Sequence, residues 1–274
     1  MTDKDRMTDK DYLVNDQYRD AAKLSARIRL HELFSVNKYG FHRWTFDHLL
    51  DLPAEARVLE VGCGPGRLWR ENLDRIPSNW QITIGDLSPG MLDEARAELA
   101  DAGRPFSFEH INAQDLPFAD TSFDAVIANQ MLYHVPDRPK ALAEFHRVLK
   151  PAGTLYAATG GRPDGPSIAD WRAKAGVSTD LARSVDGGSG RFSLENGGPQ
   201  ITRIFTAVEQ HRYEDALQVS EVEPLVDYVQ SGSYRLNEDE LQRFREIAAA
   251  EIAEHGFLYI AKSGGLFTAS KQPS

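Results

Sequence analysis

Between residues 56 and 159, short continuous apolar runs alternate with segments whose apolar residues recur every three or four positions. The runs Arg57–Val61, Gln81–Gly85, Phe106–Ile111, Phe123–Ala128 and Gly153–Thr159 read as strands. Phe123 to Ala128 is nearly all apolar, as a strand covered on both faces should be. The intervening segments carry inward stripes: Leu68, Trp69 and Leu73; then Met91, Leu92, Ala95 and Leu99; then Leu142, Phe145 and Leu149. Ser88-Pro89 marks a helix start, an N-cap followed by proline at the first helical position. This alternation predicts a parallel sheet with helices on both faces.

The flanks break the pattern. Residues 1 to 11 repeat MTDKD, with candidate starts at Met1 and Met7, and read as a disordered tail. Residues 12 to 52 read as a helical cap rich in large aromatics, with an apolar stripe through Leu24, Ile28 and Leu30 to Phe34. The core spans 53 to 160. Residues 161 to 203 read as a lid insertion: 160 to 199 hold nine glycines and three prolines, a loop-rich stretch that is either a lid or partly disordered. Residues 204 to 274 complete the sheet, with strands at Ile204–Tyr213 and Gly265–Ser270. Between them a helix starts at Asn237, three residues before Glu240, a capping-box spacing. Its inward residues are Leu241, Phe244 and Ile247.

Composition narrows the class. The 274 residues are 41% hydrophobic, enough for a sizeable core, and carry a formal net charge of -10. That charge argues against a phosphate-tracking nucleic-acid binder. A single cysteine, Cys63, excludes an intrachain disulfide and suits a reducing cytoplasm. No apolar run approaches the roughly 18 residues that span a bilayer. The expected partner is a small molecule, with no membrane insertion, in a monomer or homodimer.

The chemistry concentrates at strand ends. Strand one runs into Gly62-Cys63-Gly64-Pro65-Gly66, a turn that brings backbone N–H groups close to a ligand. The dinucleotide fingerprint needs a small residue where Arg67 stands, and no Gly-Lys-Ser/Thr follows. A nucleoside without a pyrophosphate fits better. Asp86, at the end of strand two, can accept both ribose hydroxyls. Asp115, after strand three, can read an adenine edge. Asn129 ends strand four. All lie on the edge where open α/β sheets bind ligands.

The segments LEVGCGPG, GDLSPGML, AQDLPFADTSFDAVIANQMLYHV and ALAEFHRVLKPAGTLY resemble the class I S-adenosylmethionine-dependent methyltransferases, in particular the ubiquinone/menaquinone methyltransferase-like enzymes. The resemblance covers about 56 to 159. It implies a Rossmann-like sheet of seven mostly parallel strands, the last antiparallel, and S-adenosyl-L-methionine as cofactor. It implies that Glu60, Gly62 and Gly64 line the methionine part, and that Asp86 holds the ribose. Leu87 and Met91 would pack near the adenine, Gln114 and Asp115 would hold it, and Asn129 would lie near the sulfonium. The expected activity is methyl transfer to an O, N or C atom of a small organic molecule.

Where the acceptor keeps its proton, a base is needed. His134 follows strand four and is the candidate, with Tyr133 beside it; packing of a loop is the plainer reading of His134. Tyr12, Tyr18 and Tyr39 are candidate acceptor contacts, since an N-terminal helix covers the sheet edge in this family. Cys63 reads as a small turn-filling residue rather than a nucleophile, and His42 with His48 lacks a third ligand for zinc. Two rivals keep the same cofactor residues: a sensor or scaffold that binds without methyl transfer, and a rearrangement or cyclisation assisted by the cofactor's charge. Asn129-Gln130-Met131-Leu132 stands where adenine- and glutamine-modifying enzymes carry Asn/Asp-Pro-Pro-Tyr/Phe.

Overall fold

A computed structural model describes residues 8–14, 22–178, 191–232 and 234–272. Helices α1 (Ala22–Phe34) and α2 (Phe41–Asp47) precede β1 (Arg57–Val61). There follow α3 (Arg67–Arg70), β2 (Gln81–Asp86), α4 (Pro89–Glu98), β3 (Ser107–His110) and β4 (Phe123–Asn129). Next come α5 (Arg138–Val148), β5 (Leu149–Gly160), α6 (Ile168–Lys174), α7 (Gly197–Ile201) and β6 (Thr206–Tyr213). The chain ends with β7 (Ala216–Val219), α8 (Val222–Gln230), α9 (Glu238–His255), β8 (Leu258–Ala261) and β9 (Gly264–Ser270).

Seven strands form one sheet in the order β3-β2-β1-β4-β5-β9-β6. Strands β3, β2, β1, β4 and β5 pair in parallel, and β9 runs antiparallel to both β5 and β6. This is the mostly parallel, Rossmann-like sheet expected from the alternation. Its strand order reverses between β1 and β4, which places the ligand crevice of an open α/β sheet at their C-terminal ends.

Burial explains the apolar run in β4. Ala125 and Ile127 join Val58, Trp69 and Leu92 on one face, while Val126 and Ala128 join Phe145 and Leu149 on the other. Local signals start the helices as anticipated. Ser88 Oγ accepts the Met91 N–H at 3.3 Å. Asn237 Oδ1 accepts from Glu240 N, and Glu240 Oε2 accepts from Asn237 N, both at 2.9 Å. Phe244 is buried, with Leu241 and Ile247 packed partly against the same cluster.

That cluster is a second core, which periodicity did not announce. Strands β7 and β8 pair antiparallel, apart from the main sheet. Leu30 and Phe34 of α1, Trp171 of α6, Leu217 of β7, Val229 of α8 and Leu258 of β8 pack into it. Only β6 and β9 of the C-terminal part join the main sheet. Helix α1 buries Leu30 and Phe34 in this lobe, whereas α2 packs on the sheet through the fully buried Phe46. Strands of four residues give little alternation, and their partners lie far away in sequence. Among the described residues, no helix is long and apolar enough to cross a membrane.

Contact between β6 and β9 leaves no room for a side chain at Gly265, where a Cβ would lie 2.3 Å from the His211 carbonyl oxygen. Gly265→Ala should therefore destabilise the protein by about 2–3 kcal/mol or more. Gly198→Ala, in α7 with only an ordinary 3.6 Å contact, should be neutral or stabilising. Thermal denaturation compares them, and equal melting temperatures would contradict this reading of the β6–β9 contact.

Candidate active site

The turn after β1 is held from behind by β2. The Gly85 carbonyl accepts the N–H groups of Gly62 at 2.8 Å and Cys63 at 3.1 Å. One residue on, Asp86 Oδ2 accepts the Gly64 N–H at 2.9 Å and Oδ1 accepts the Ser88 N–H at 2.8 Å. Gly62, Gly64 and Gly66 have φ of 73°, 53° and 76°, in the left-handed region that favours glycine. A Cβ on Gly62 would also come within 2.8 Å of Met131.

Beneath the turn lies Glu60, with 2% of its surface exposed. Trp69 Nε1 donates to Oε2 at 2.7 Å, and Asn129 Nδ2 to Oε1 at 3.4 Å. Burial outweighs both hydrogen bonds and pushes the Glu60 carboxyl up to about 8; the charge of Asp86 adds to the rise. Burial likewise raises the Asp86 carboxyl and the Cys63 thiol, which makes Cys63 a poor nucleophile.

A cleft of about 1910 Å³ opens above these groups. Single small-molecule sites occupy roughly 300–1,000 Å³, so two ligands have room. Glu60, Gly62, Gly64, Asp86, Leu87 and Met91 all line it, as do Gln114 and Asn129. Gln114 Oε1 accepts the Asp137 N–H at 2.9 Å, tying the loop after β3 to the start of α5. Tyr133 and His134 line the cleft from a single 3₁₀ turn, Leu132–His134, with their rings 4.4 Å apart edge to face. Before that turn, Gln130 has a φ of 52°, a left-handed conformation at the end of β4.

Three candidates lie elsewhere. Asp115 is exposed and outside the cleft lining, because a tight turn returns its N–H to the Asn112 carbonyl. Tyr39 is 47% exposed and its hydroxyl donates to Asp47 at 2.9 Å, which turns it to the surface. Tyr12 ends a short helical turn whose neighbour Leu13, rather than Tyr12, lines the cleft. Tyr18 is outside the described residues. The cleft also holds residues that sequence reasoning missed. Arg27 and His31 of α1 and Ser35 just after it line the cleft, as do Asp215 and Lys262. The four-residue spacing of Arg27, His31 and Ser35 was the available signal, obscured by the nearby apolar residues.

The donor set suits S-adenosyl-L-methionine. Asp86 spends lone pairs on the backbone N–H groups of Gly64 and Ser88, with Leu87 N–H also favouring its charged form. Of the roughly four sites of a carboxylate this still leaves an acceptor for a ribose hydroxyl. Among the described residues Asn129 Oδ1 is buried with no hydrogen-bond partner, an acceptor open to a cationic methionine end.

A glycine turn clamped to an aspartate stands at the switch point of this sheet, where open α/β proteins bind ligands. Residues 59–157 match a family model described as a methyltransferase domain. The ubiquinone/menaquinone biosynthesis C-methyltransferase UbiE of Hahella chejuensis is 31% identical over 142 residues, 51% of this chain and 53% of that protein. The ubiquinone biosynthesis O-methyltransferase of Xanthomonas axonopodis pv. citri is 38% identical over 108 residues, 39% of this chain and 44% of that protein. The chain thus spans about half the length of the curated relatives it matches. Among solved structures, phosphoethanolamine N-methyltransferase 2 of Haemonchus contortus in complex with S-adenosyl-L-methionine has a TM-score of 0.55 at 16% identity. That match covers 100% of this chain and 60% of the other. Residues 59–157 are thus similar to the methyltransferase domain of class I S-adenosylmethionine-dependent enzymes.

The Glu60 proton makes stability depend on pH. The unfolded chain releases it near 4.5 and the folded protein near 8. Between these values the folded state binds more protons, so stability falls as pH rises from about 4.5 to about 8, by on the order of a few kcal/mol. Glu60→Gln removes this slope. Its gain in melting temperature over the wild type should be larger at pH 8 than at pH 5; parallel profiles would count against a protonated Glu60.

Proposed function

We propose that this chain transfers a methyl group from S-adenosyl-L-methionine to an O, N or C atom of a small organic molecule. The observation that carries the reading is that the Asp86-clamped glycine turn and the α1 wall share one cleft large enough for cofactor and acceptor together. The C- and O-methyltransferase relatives agree with that class of reaction.

In this reading Asp86 accepts from the ribose, and Leu87 and Met91 pack the adenine. Gln114 and the neighbouring Ala113 hold its edge, with Asp115 reaching it only through a change in the loop after β3. Glu60, Gly62, Gly64 and Asn129 surround the methionine part. A positive charge beside Glu60 favours its carboxylate form, so binding would draw the proton from a group kept neutral by burial. When bound, S-adenosyl-L-methionine supplies an already activated methyl group. The protein's work is then to hold the acceptor atom about 3 Å away in line, exclude water and accept a proton. His134, beside Tyr133 on the cleft wall, is the proposed base. The described parts of residues 161–203, which line the cleft through Arg162, Ser167 and Phe192, and Leu13 of the N-terminal segment are the proposed cover. Residues 179–190 of the expected lid lie outside the described residues.

Two measurements test these assignments. By calorimetry, Asp86→Ala should weaken S-adenosyl-L-methionine binding by about 1–3 kcal/mol, with folding checked by circular dichroism; unchanged affinity removes Asp86 from the ribose site. His134→Ala should lose acceptor-dependent formation of S-adenosylhomocysteine while keeping cofactor affinity. Wild-type turnover with an unchanged pH profile would make His134 a packing residue. Cofactor binding without turnover on any acceptor would favour a sensor or scaffold.

A further inference from the structure

The half of the cleft away from the glycine turn has its own chemistry. Arg27 and His31 are four residues apart, so they share one face of α1; Ser35 follows the helix's last residue, and all three line the cleft. Facing them are Asp215, after β6, and Lys262, between β8 and β9. Gly161 N–H donates to the adjacent Ser263 carbonyl at 3.0 Å, which places Lys262 beside the C-terminal end of β5.

Asp215 is committed. Its side chain is 2% exposed and accepts four protein donors: Ser35 Oγ at 2.8 Å, Asn37 N at 3.0 Å, Ala216 N at 2.9 Å and the Lys262 ammonium. Four donors fill the lone pairs of a carboxylate. Lys262 is different: its side chain stays 27% exposed, and Asp215 takes one of its three N–H groups. Arg27 spends Nε and one terminal nitrogen on Ser231, on its hydroxyl at 3.3 Å and its carbonyl at 2.9 Å. Among the described residues these partners are uncharged, so the guanidinium charge is not neutralised there.

The other carboxylates on these walls are also engaged. Glu32 and Glu71 pair with Arg67, at 2.6 and 2.7 Å. Asp170 caps α6 by accepting from Ser167, and Glu195 accepts the Arg162 N–H. His31 registers the resulting field: burial first, and then the charge of Lys262, lower its pKa to about 3, so the ring adds no charge. In a chain of net charge -10, this wall retains positive charge.

We propose that this wall anchors the methyl acceptor by a carboxylate, gripped by Lys262 and Arg27, so that the acceptor is a small organic acid. This rests on the methyltransferase reading and names its substrate class. One ammonium and one partly engaged guanidinium match a singly charged planar group better than a phosphate dianion. His31, uncharged, borders the anchor without competing for the anion as a counter-charge.

The test is calorimetry on the full chain with saturating S-adenosylhomocysteine. A panel of small aromatic and aliphatic carboxylic acids is compared with the matched primary amides and phosphate monoesters. Acids should bind about tenfold or more tightly than their amides, the loss expected when a charge-assisted hydrogen bond is removed. Arg27→Gln should reduce acid binding by a similar factor and leave S-adenosylhomocysteine affinity unchanged. Lys262→Met alone would strand the buried Asp215 charge, so the second variant is Lys262→Met with Asp215→Asn, with the same expectation. Amides or phosphate monoesters binding as well as the acids, no acid binding at all, or wild-type acid affinity in both variants overturns the proposal. If S-adenosylhomocysteine itself fails to bind, the cofactor reading falls, and the same panel without it still tests the anchor.

Discussion

The structure turns on how the end of β2 holds the loop after β1. The Gly85 carbonyl takes two N–H groups of that loop, and the Asp86 carboxylate takes a third from Gly64. Three successive positive-φ glycines cannot hold one shape alone, because glycine is conformationally permissive. Pinned to a rigid strand, they keep one geometry. The pinning also buries Asp86 and raises its carboxyl, and it sets the roof over the still more buried Glu60.

Such burial carries a stability cost, since unpaired buried acids tend toward their neutral form. Trp69 and Asn129 offset part of it with hydrogen bonds to Glu60. A protein that tolerates this cost keeps two acids beside one pocket, where a cationic ligand gains most from them. Met131 lies against Gly62 beside them, and among the described residues Asn129 keeps a buried oxygen without a partner.

Much of this half was legible in the sequence. The strand β1, the turn, the Ser88 cap, the Asn237 capping box and the apolar β4 are local signals, each set by neighbours a few residues away. Asp86 and Asn129 were legible because they end strands that the pattern had already located. Asp115 shared that logic, but the turn through Asn112 directs it away from the cleft. The second lobe was not legible. Arg27 meets Ser231 across 204 positions and Ser35 meets Asp215 across 180, and no periodicity encodes such pairs. Helix α1 looked like an apolar cap because Leu30 and Phe34 dominate its pattern; its polar stripe gains meaning only when Asp215 and Lys262 stand opposite. The three tyrosines were chosen for their chemistry, and nothing local dictated which way Tyr39 would point.

The central claim is that the pinned turn is one wall of a cofactor site. A crystal structure of the protein with S-adenosylhomocysteine tests it most directly. The account predicts the nucleoside along Gly62–Gly66, its ribose hydroxyls on Asp86 and its methionine end beside Glu60 and Asn129. A ligand bound elsewhere in the cleft, with Asp86 holding only Gly64 and Ser88, would contradict it.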